Sequence, residues 1–201
     1  LRTELMMNPP NLCLAQLPDA DALLGRDPLA LLVGMLLDQQ IPMEKAFAGP
    51  YVLAQRMGVD RLDAVDVARF DPEAFTKMFV GPPAIHRFPG AMAGRVQALA
   101  RQIVDEYGGD ATAVWSTAAS GAELLVRLGS LPGFGPQKAK IFLALLGKQR
   151  GVRPRGWREV SEPYGTDGVY RSVADVTSLE TLLKVREHKK EMKAAARSAS
   201  R

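Results

Sequence analysis

Leu131 to Gly147 reads LPGFGPQKAKIFLALLG, a glycine-bracketed turn that runs straight into a helix with an apolar stripe. Gly133 and Gly135 can take positive φ and carry no side chain to hold off a bulky anion. Pro136 suits the first helical position, where its missing N–H costs nothing. The amides at such a helix start, with the dipole behind them, suit a phosphate oxygen, and Lys138 and Lys140 follow with positive charge. A plain turn between packed helices would need only the glycines. The leading Leu-Pro, Phe134 and the two lysines point instead to a nucleic-acid-binding hairpin.

The charge pattern agrees. Between Glu123 and Glu159 there is no acidic residue, yet Arg127, Lys138, Lys140, Lys148, Arg150, Arg153, Arg155 and Arg158 all fall there. The whole chain has a net charge of only +4 from 26 basic and 22 acidic residues, so its basicity is concentrated around the turn. Such clustering suits salt-dependent binding to a polynucleotide backbone through counterion release. A second run, Lys184 to Arg201, carries seven Lys/Arg against two Glu and reads as a solvated tail helix.

The elements that must position these groups read as helices almost throughout. Asp27-Pro28 is a cap followed by a first-turn proline, and Leu29, Leu32, Val33, Leu36 and Leu37 form an apolar face. Asp71-Pro72 repeats the signal before Phe75, Met78 and Phe79. Ala91 to Tyr107 has helical spacing and stops at Gly108-Gly109. Gly121 to Leu128, Pro136 to Lys148 and Ser178 to Ala196 complete the set. Gly49-Pro50 predicts a kink or two short helices within Met43 to Met57, Asn11 to Gln16 is faintly strand-like, and Gly151 to Tyr164 reads as a long loop, open to substrate contact or to a role as an ordered surface insertion. The fold class is all-α. A length of 201 residues, 47% of them hydrophobic, suffices for one core or two small lobes. The longest apolar run, Leu29 to Leu37, is too short to span a bilayer. Leu1 to Gln16 has no secretory pattern. One cysteine, Cys13, excludes internal disulfides and a four-cysteine iron–sulfur cluster or zinc finger. A cytoplasmic, nucleoid-associated monomer with no membrane contact is the expectation.

Leu131 to Lys140 resembles the signature of the helix-hairpin-helix (HhH-GPD) DNA glycosylase superfamily, which includes endonuclease III, adenine glycosylase and the 3-methyladenine glycosylases. Pro28 to Ala46, PLALLVGMLLDQQIPMEKA, is similar to the family's early helix ending in a Gln-Gln or Gln-Asn pair, and Gly81 to Trp115 follows the family layout. The matches cover residues 28 to 148 in order, and the chain looks most like the short actinobacterial base-excision repair type without an iron–sulfur cluster.

The resemblance implies a two-lobed helical fold with a cleft: residues 29–147 as one lobe ending in the hairpin, and 1–28 with 148–201 as the other. It implies binding of double-stranded DNA, with the target nucleotide everted into the cleft. Phosphates would sit on amides around Gly133, Phe134 and Gly135, with Gln137, Lys138, Lys140, Arg153 and Arg155 nearby, and K+ or Na+ could sit on the carbonyls of Leu131 and Gly133. No other cofactor is implied. Gln39 and Gln40 would face the minor groove or the space left by the flipped base; the plain alternative is that they cap a helix before Pro42. Hydrolysis of an N-glycosidic bond needs a carboxylate beside the developing oxocarbenium. The family's aspartate position falls here on Arg155. Asp167 is the nearest replacement, at the start of a helix, if the loop before it holds an insertion; it equally reads as an N-cap. Asp175 and Glu159 are the fallbacks. Gln137 stands where strand-cutting members carry a nucleophilic lysine, so activity would be base release alone, with Lys138 turned about 100° away. An alkylated purine is the first expectation for the lesion, with uracil and mismatches also open; its wall would draw on Met43, Phe47, Tyr51, Phe79, Trp157 and Tyr164, residues that equally read as core. The alternatives are a non-catalytic DNA-binding protein of the same fold that has lost its acid, and a protein-interaction domain with a decayed hairpin.

Overall fold

In the computed structural model, which describes residues 11–199, the protein is all-helical. The elements are α1 (Pro18–Arg26), α2 (Pro28–Leu37), α3 (Met43–Met57), α4 (Ala64–Arg69), α5 (Pro72–Val80), α6 (Pro89–Tyr107), α7 (Ala113–Ser116), α8 (Gly121–Ser130), α9 (Pro136–Gln149), α10 (Trp157–Val160), a 3-10 turn (Val173–Asp175) and α11 (Leu179–Ala199).

Local capping chemistry sets most helix starts. Asp27 accepts the Ala30 amide at 3.1 Å, Asp71 that of Ala74 at 2.8 Å and Ser120 that of Glu123 at 3.1 Å. Asp27 also accepts the Leu62 amide at 2.7 Å, so one carboxylate both caps α2 and ties down the loop before α4. α2 is buried along its whole length and packs on α3, while α6 carries α4 and α5, and α9 carries α8 and the 3-10 turn. α1 packs against α2 and α3. One continuous apolar core runs from Leu12 to Val185.

Three expectations change. Asn11 to Gln16 forms no strand: the buried Asp21 carboxylate accepts the Leu14 and Ala15 amides at 2.7 and 2.8 Å and that of Leu17 at 3.3 Å, which turns these donors onto a side chain instead of a neighbouring strand. Gly49-Pro50 does not divide its helix. α3 runs on through a buried Pro50, because its packing against α1, α2 and α5 outweighs the one hydrogen bond that proline removes. The stretch from Gly151 to Tyr164 contains α10, anchored by Trp157. That indole lies so close to Gly147 that a Cβ there would fall 2.3 Å from the ring, and the Arg155 carbonyl accepts the Gly121 amide at 2.8 Å. The segment is ordered and packs onto α8 and α9.

No helix among the described residues is long and apolar enough to cross a membrane.

Candidate nucleic-acid interface

The hairpin between α8 and α9 turns at Gly133, with φ +80°, where an added Cβ would also lie 3.0 Å from Leu36 Cγ. Gly135 differs. Its φ is −77°, a value open to any residue, and nothing lies within 4 Å of the place a Cβ would take. The first glycine is therefore needed by the turn, whereas the second leaves an open approach to the main chain. Phe134 is buried, edge-on to Phe142 at 5.7 Å, and its amide donates to the Leu131 carbonyl at 3.0 Å. That removes Phe134 from the expected phosphate contacts and engages one of the two carbonyls expected to hold a monovalent cation. The amides of Gly133, Gly135, Gln137 and Lys138 have no acceptor among the described residues, so a row of donors remains at the start of α9.

Beside these donors lies a cleft of about 760 Å³ between the end of α2, the start of α9 and one face of α11. Gln137 and Ile141 line it at i, i+4 spacing, with Lys138 between them. Arg186, Lys189 and Lys193 supply the opposite wall at i, i+3 and i+7, and Met35, Ile41 and Met43 give it an apolar floor. A second cavity of about 370 Å³ shares Gln137, Ile141, Lys189 and Lys193 and reaches Tyr164, whose hydroxyl accepts Gln137 Nε2 at 2.8 Å.

Two ionisable groups in the cleft are perturbed. Lys138 turns inward, not to solvent: its Nζ donates to the Leu36 carbonyl at 3.1 Å. Burial pulls its pKa down to about 8, opposed by the nearby charge of Asp38. Asp38 ends α2, and burial raises its carboxyl above the ordinary range against the pull of Lys189 and Lys138. Its side chain accepts no hydrogen bond from the described residues.

Gln39 and Gln40 behave differently from each other. The Gln39 side chain donates to the Leu36 carbonyl at 2.9 Å and accepts Arg95 at 3.2 Å, a helix-closing role. The Gln39 carbonyl lies 2.9 Å from His86 Nε2, while His86 Nδ1 accepts the Phe88 amide at 3.0 Å. That pair of contacts needs the neutral Nε2–H tautomer, in keeping with the burial that holds His86 below its usual pKa. Gln40 sits at φ +57° with an exposed side chain that makes no hydrogen bond among the described residues.

Most of the eight clustered cations serve the fold. Arg127 pairs with Glu123 at 2.5 Å, and Lys148 with Asp175 at 2.6 Å in a nearly buried bridge. Lys140 reaches the Glu162 carbonyl, Arg150 that of Gly25, and Arg153 Nε that of Gly147. Of the two arginines expected at DNA, Arg155 alone has a side chain without a partner among the described residues.

Asp167 lies in a turn and begins no helix. Its side chain is 73% exposed and paired to Arg158 at 2.8 Å, which holds its carboxyl below the usual range. Asp175 is consumed by Lys148 and by the Arg171 and Ser172 amides, and Glu159 is exposed on α10. None of the three lines the cleft. The expected aromatic wall also dissolves. Phe47 and Phe79 are fully buried in the core and Trp157 is wedged at Gly147; Tyr51 packs on the core, leaving Met43 in the cleft and Tyr164 in its extension.

Asp38 is absent from the residues singled out in the sequence, and the basic run from Lys184, expected as a solvated tail helix, instead lines the cleft through Arg186, Lys189 and Lys193; both positions carry a signal. An acid at the C-terminal end of a uniformly apolar helix opposes the helix dipole, so Asp38 breaks a local rule that most helices keep. On α11 the buried positions Leu182 and Val185 continue at helical spacing into Lys189 and Lys193, so the core-facing stripe turns cationic as it leaves the core.

Comparison with known proteins finds no family model matching this sequence and no curated protein similar to it.

Proposed function

We propose that this protein binds double-stranded DNA through the α8–α9 hairpin, holds an everted nucleotide in the adjoining cleft, and hydrolyses the N-glycosidic bond of a damaged base without cutting the strand. The unclaimed amides at the start of α9, at the mouth of a cleft walled by Arg186, Lys189 and Lys193, carry this reading. Backbone donors at a helix start suit a phosphate, and the cleft volume falls within the ~300–1,000 Å³ typical of small-molecule sites. The reading keeps the two-lobed helix-hairpin-helix glycosylase arrangement that the sequence resembles.

The walls favour a base recognised by its hydrogen-bonding edge. Amides from Gln40 and Gln137 can donate and accept, whereas stacking on a cationic alkylated purine would need aromatic walls, and of the six-residue set Met43 lines the cleft and Tyr164 only its extension. A neutral lesion such as uracil therefore fits better than a charged one. A second reading, DNA binding without catalysis, is favoured by the exposed, arginine-paired position of Asp167.

Gly135→Ala adds one methyl group where the fold has room, so it tests the interface without disturbing the turn. Affinity for a short duplex should fall by about tenfold, the loss of one charge-assisted hydrogen bond; unchanged affinity removes the hairpin from the interface. Duplexes bearing uracil, oxidised guanine, alkylated purines or mismatches, treated with alkali after incubation, report base release, and absence of release from all of them selects the second reading.

A further inference from the structure

We infer that Asp38 is the carboxylate that faces the sugar of the everted nucleotide, so that the reacting group of this cleft comes from the end of α2 and not from the segment after the hairpin. The inference rests on the proposed DNA-binding reading and adds the catalytic residue that reading lacks.

The argument is one of position. Asp38 lines the same cleft as Gln137 and Lys138, whose amides are unclaimed at the hairpin, so a strand whose phosphate docks there brings its neighbouring sugar toward the end of α2. Among the described residues, Asp38 is the one carboxylate lining that cleft. Every other acid considered for the role is spent on a structural partner or turned to solvent: Asp175 on Lys148, Asp167 on Arg158, Glu159 on the exposed side of α10. Its oxygens accept no hydrogen bond from the described residues, which leaves them available to a water or a sugar. The charged groups that face it are Lys138 from α9, Lys189 from α11 and Glu44 from α3. Glu44 is itself paired with Arg186, so Lys138 and Lys189 draw Asp38 toward its ionised form while burial works against it.

In its ionised form such a carboxylate performs both tasks that the chemistry sets. As the C1′–N bond breaks, its electron pair leaves on the base nitrogen and positive charge grows on the sugar, where an anion held in a half-buried site stabilises it. A water oxygen then bonds to C1′ and gives its proton to Asp38, from which it returns through solvent to the departed base. Lys138 acts as a positioning residue: its ammonium group neutralises the carbonyl end of α2 at Leu36 and favours the ionised form of its neighbour.

The test needs no knowledge of the lesion. Duplexes carrying a single pyrrolidine abasic analogue, protonated on its ring nitrogen, and a neutral tetrahydrofuran analogue at the same place are compared for affinity. A site built around a carboxylate prefers the cation, as transition-state mimics are preferred generally. Wild-type protein should favour the pyrrolidine duplex on the order of a hundredfold; Asp38→Asn should bind both alike while keeping its affinity for the neutral one, and Asp167→Asn should keep the full preference. Equal wild-type affinity for the two analogues, or a preference that survives Asp38→Asn, overturns the assignment and leaves DNA binding standing. Failure to bind either duplex overturns the DNA-binding reading and the assignment together.

Discussion

Lys138→Met tests the electrostatics of the cleft without any ligand. The substitution keeps most of the aliphatic stem and removes a partly buried ammonium group whose pKa burial brings down from 10.5 to about 8. In the unfolded chain the same amine keeps its ordinary pKa, so between pH 8 and 10.5 the unfolded state binds more proton than the folded one, and stability attributable to Lys138 rises with pH through that window. Below pH 8 the full penalty of burying the charge is present. The displacement corresponds to a ceiling of about 3 kcal/mol, and because solvent reaches part of the side chain the expected contribution is about 1–3 kcal/mol. Urea unfolding followed by circular dichroism at half-unit steps from pH 7 to pH 10.5 measures it, with the variant subtracting every other group that titrates in the range. The wild type should gain that amount relative to Lys138→Met as pH rises. Parallel curves would mean that the ammonium group is solvated, and the account of the cleft as a place where charge is costly would fail.

Other outcomes follow from single contacts. Gly133→Ala should destabilise the fold by about 1–3 kcal/mol in the same unfolding assay, since it forces a side chain into φ +80° against Leu36, whereas Gly135→Ala should change stability by less than about 0.5 kcal/mol. Asp21→Ala leaves three backbone amides between Leu14 and Leu17 without their acceptor and should cost about 2–4 kcal/mol, read as a lower urea midpoint. Burial lowers the His86 pKa from its unfolded value of 6.5, so the unfolded state takes up a proton first as pH falls through that value. Wild-type stability should therefore decline below pH 6.5 by more than that of His86→Gln, and identical slopes would refute the neutral tautomer. Replacing Lys189 and Lys193 together by alanine should lower the slope of log affinity for duplex DNA against log salt by about 2, and an unchanged slope would take α11 out of the interface.

Sequence reading succeeded where structure is decided locally. Asp27-Pro28, Asp71-Pro72 and Gly135-Pro136 each carry their own instruction, a side chain or open main chain beside a proline that starts a helix, and all three open helices. It failed where the deciding partner is distant in the chain. The arginines and lysines after the hairpin looked like phosphate ligands because their acceptors are invisible in a linear string: Arg150 donates to the Gly25 carbonyl and Lys148 pairs with Asp175. The reading of Gly49-Pro50 as a break rested on hydrogen-bond loss alone, and packing around α3 overrode it. Lys138 was turned away from the cleft by helical angle measured from Gln137, yet the cleft is wide enough to take both residues, with Ile141 below them. Asp38 was hidden in the family-like stretch, where the two glutamines after it drew the chemistry away from the acid.

The division of α11 carries one more consequence. Its proximal turns place Leu182 and Val185 in the core, while its distal turns from Lys189 onward stand exposed to solvent and wall the cleft through Lys189 and Lys193. A single rod thus spans two regimes, anchored at one end and free to be gripped at the other. A polyanion clasped along the distal turns would extend order back toward the anchor by linkage, so slowed amide exchange at Leu182 and Val185 would register an event taking place two turns away.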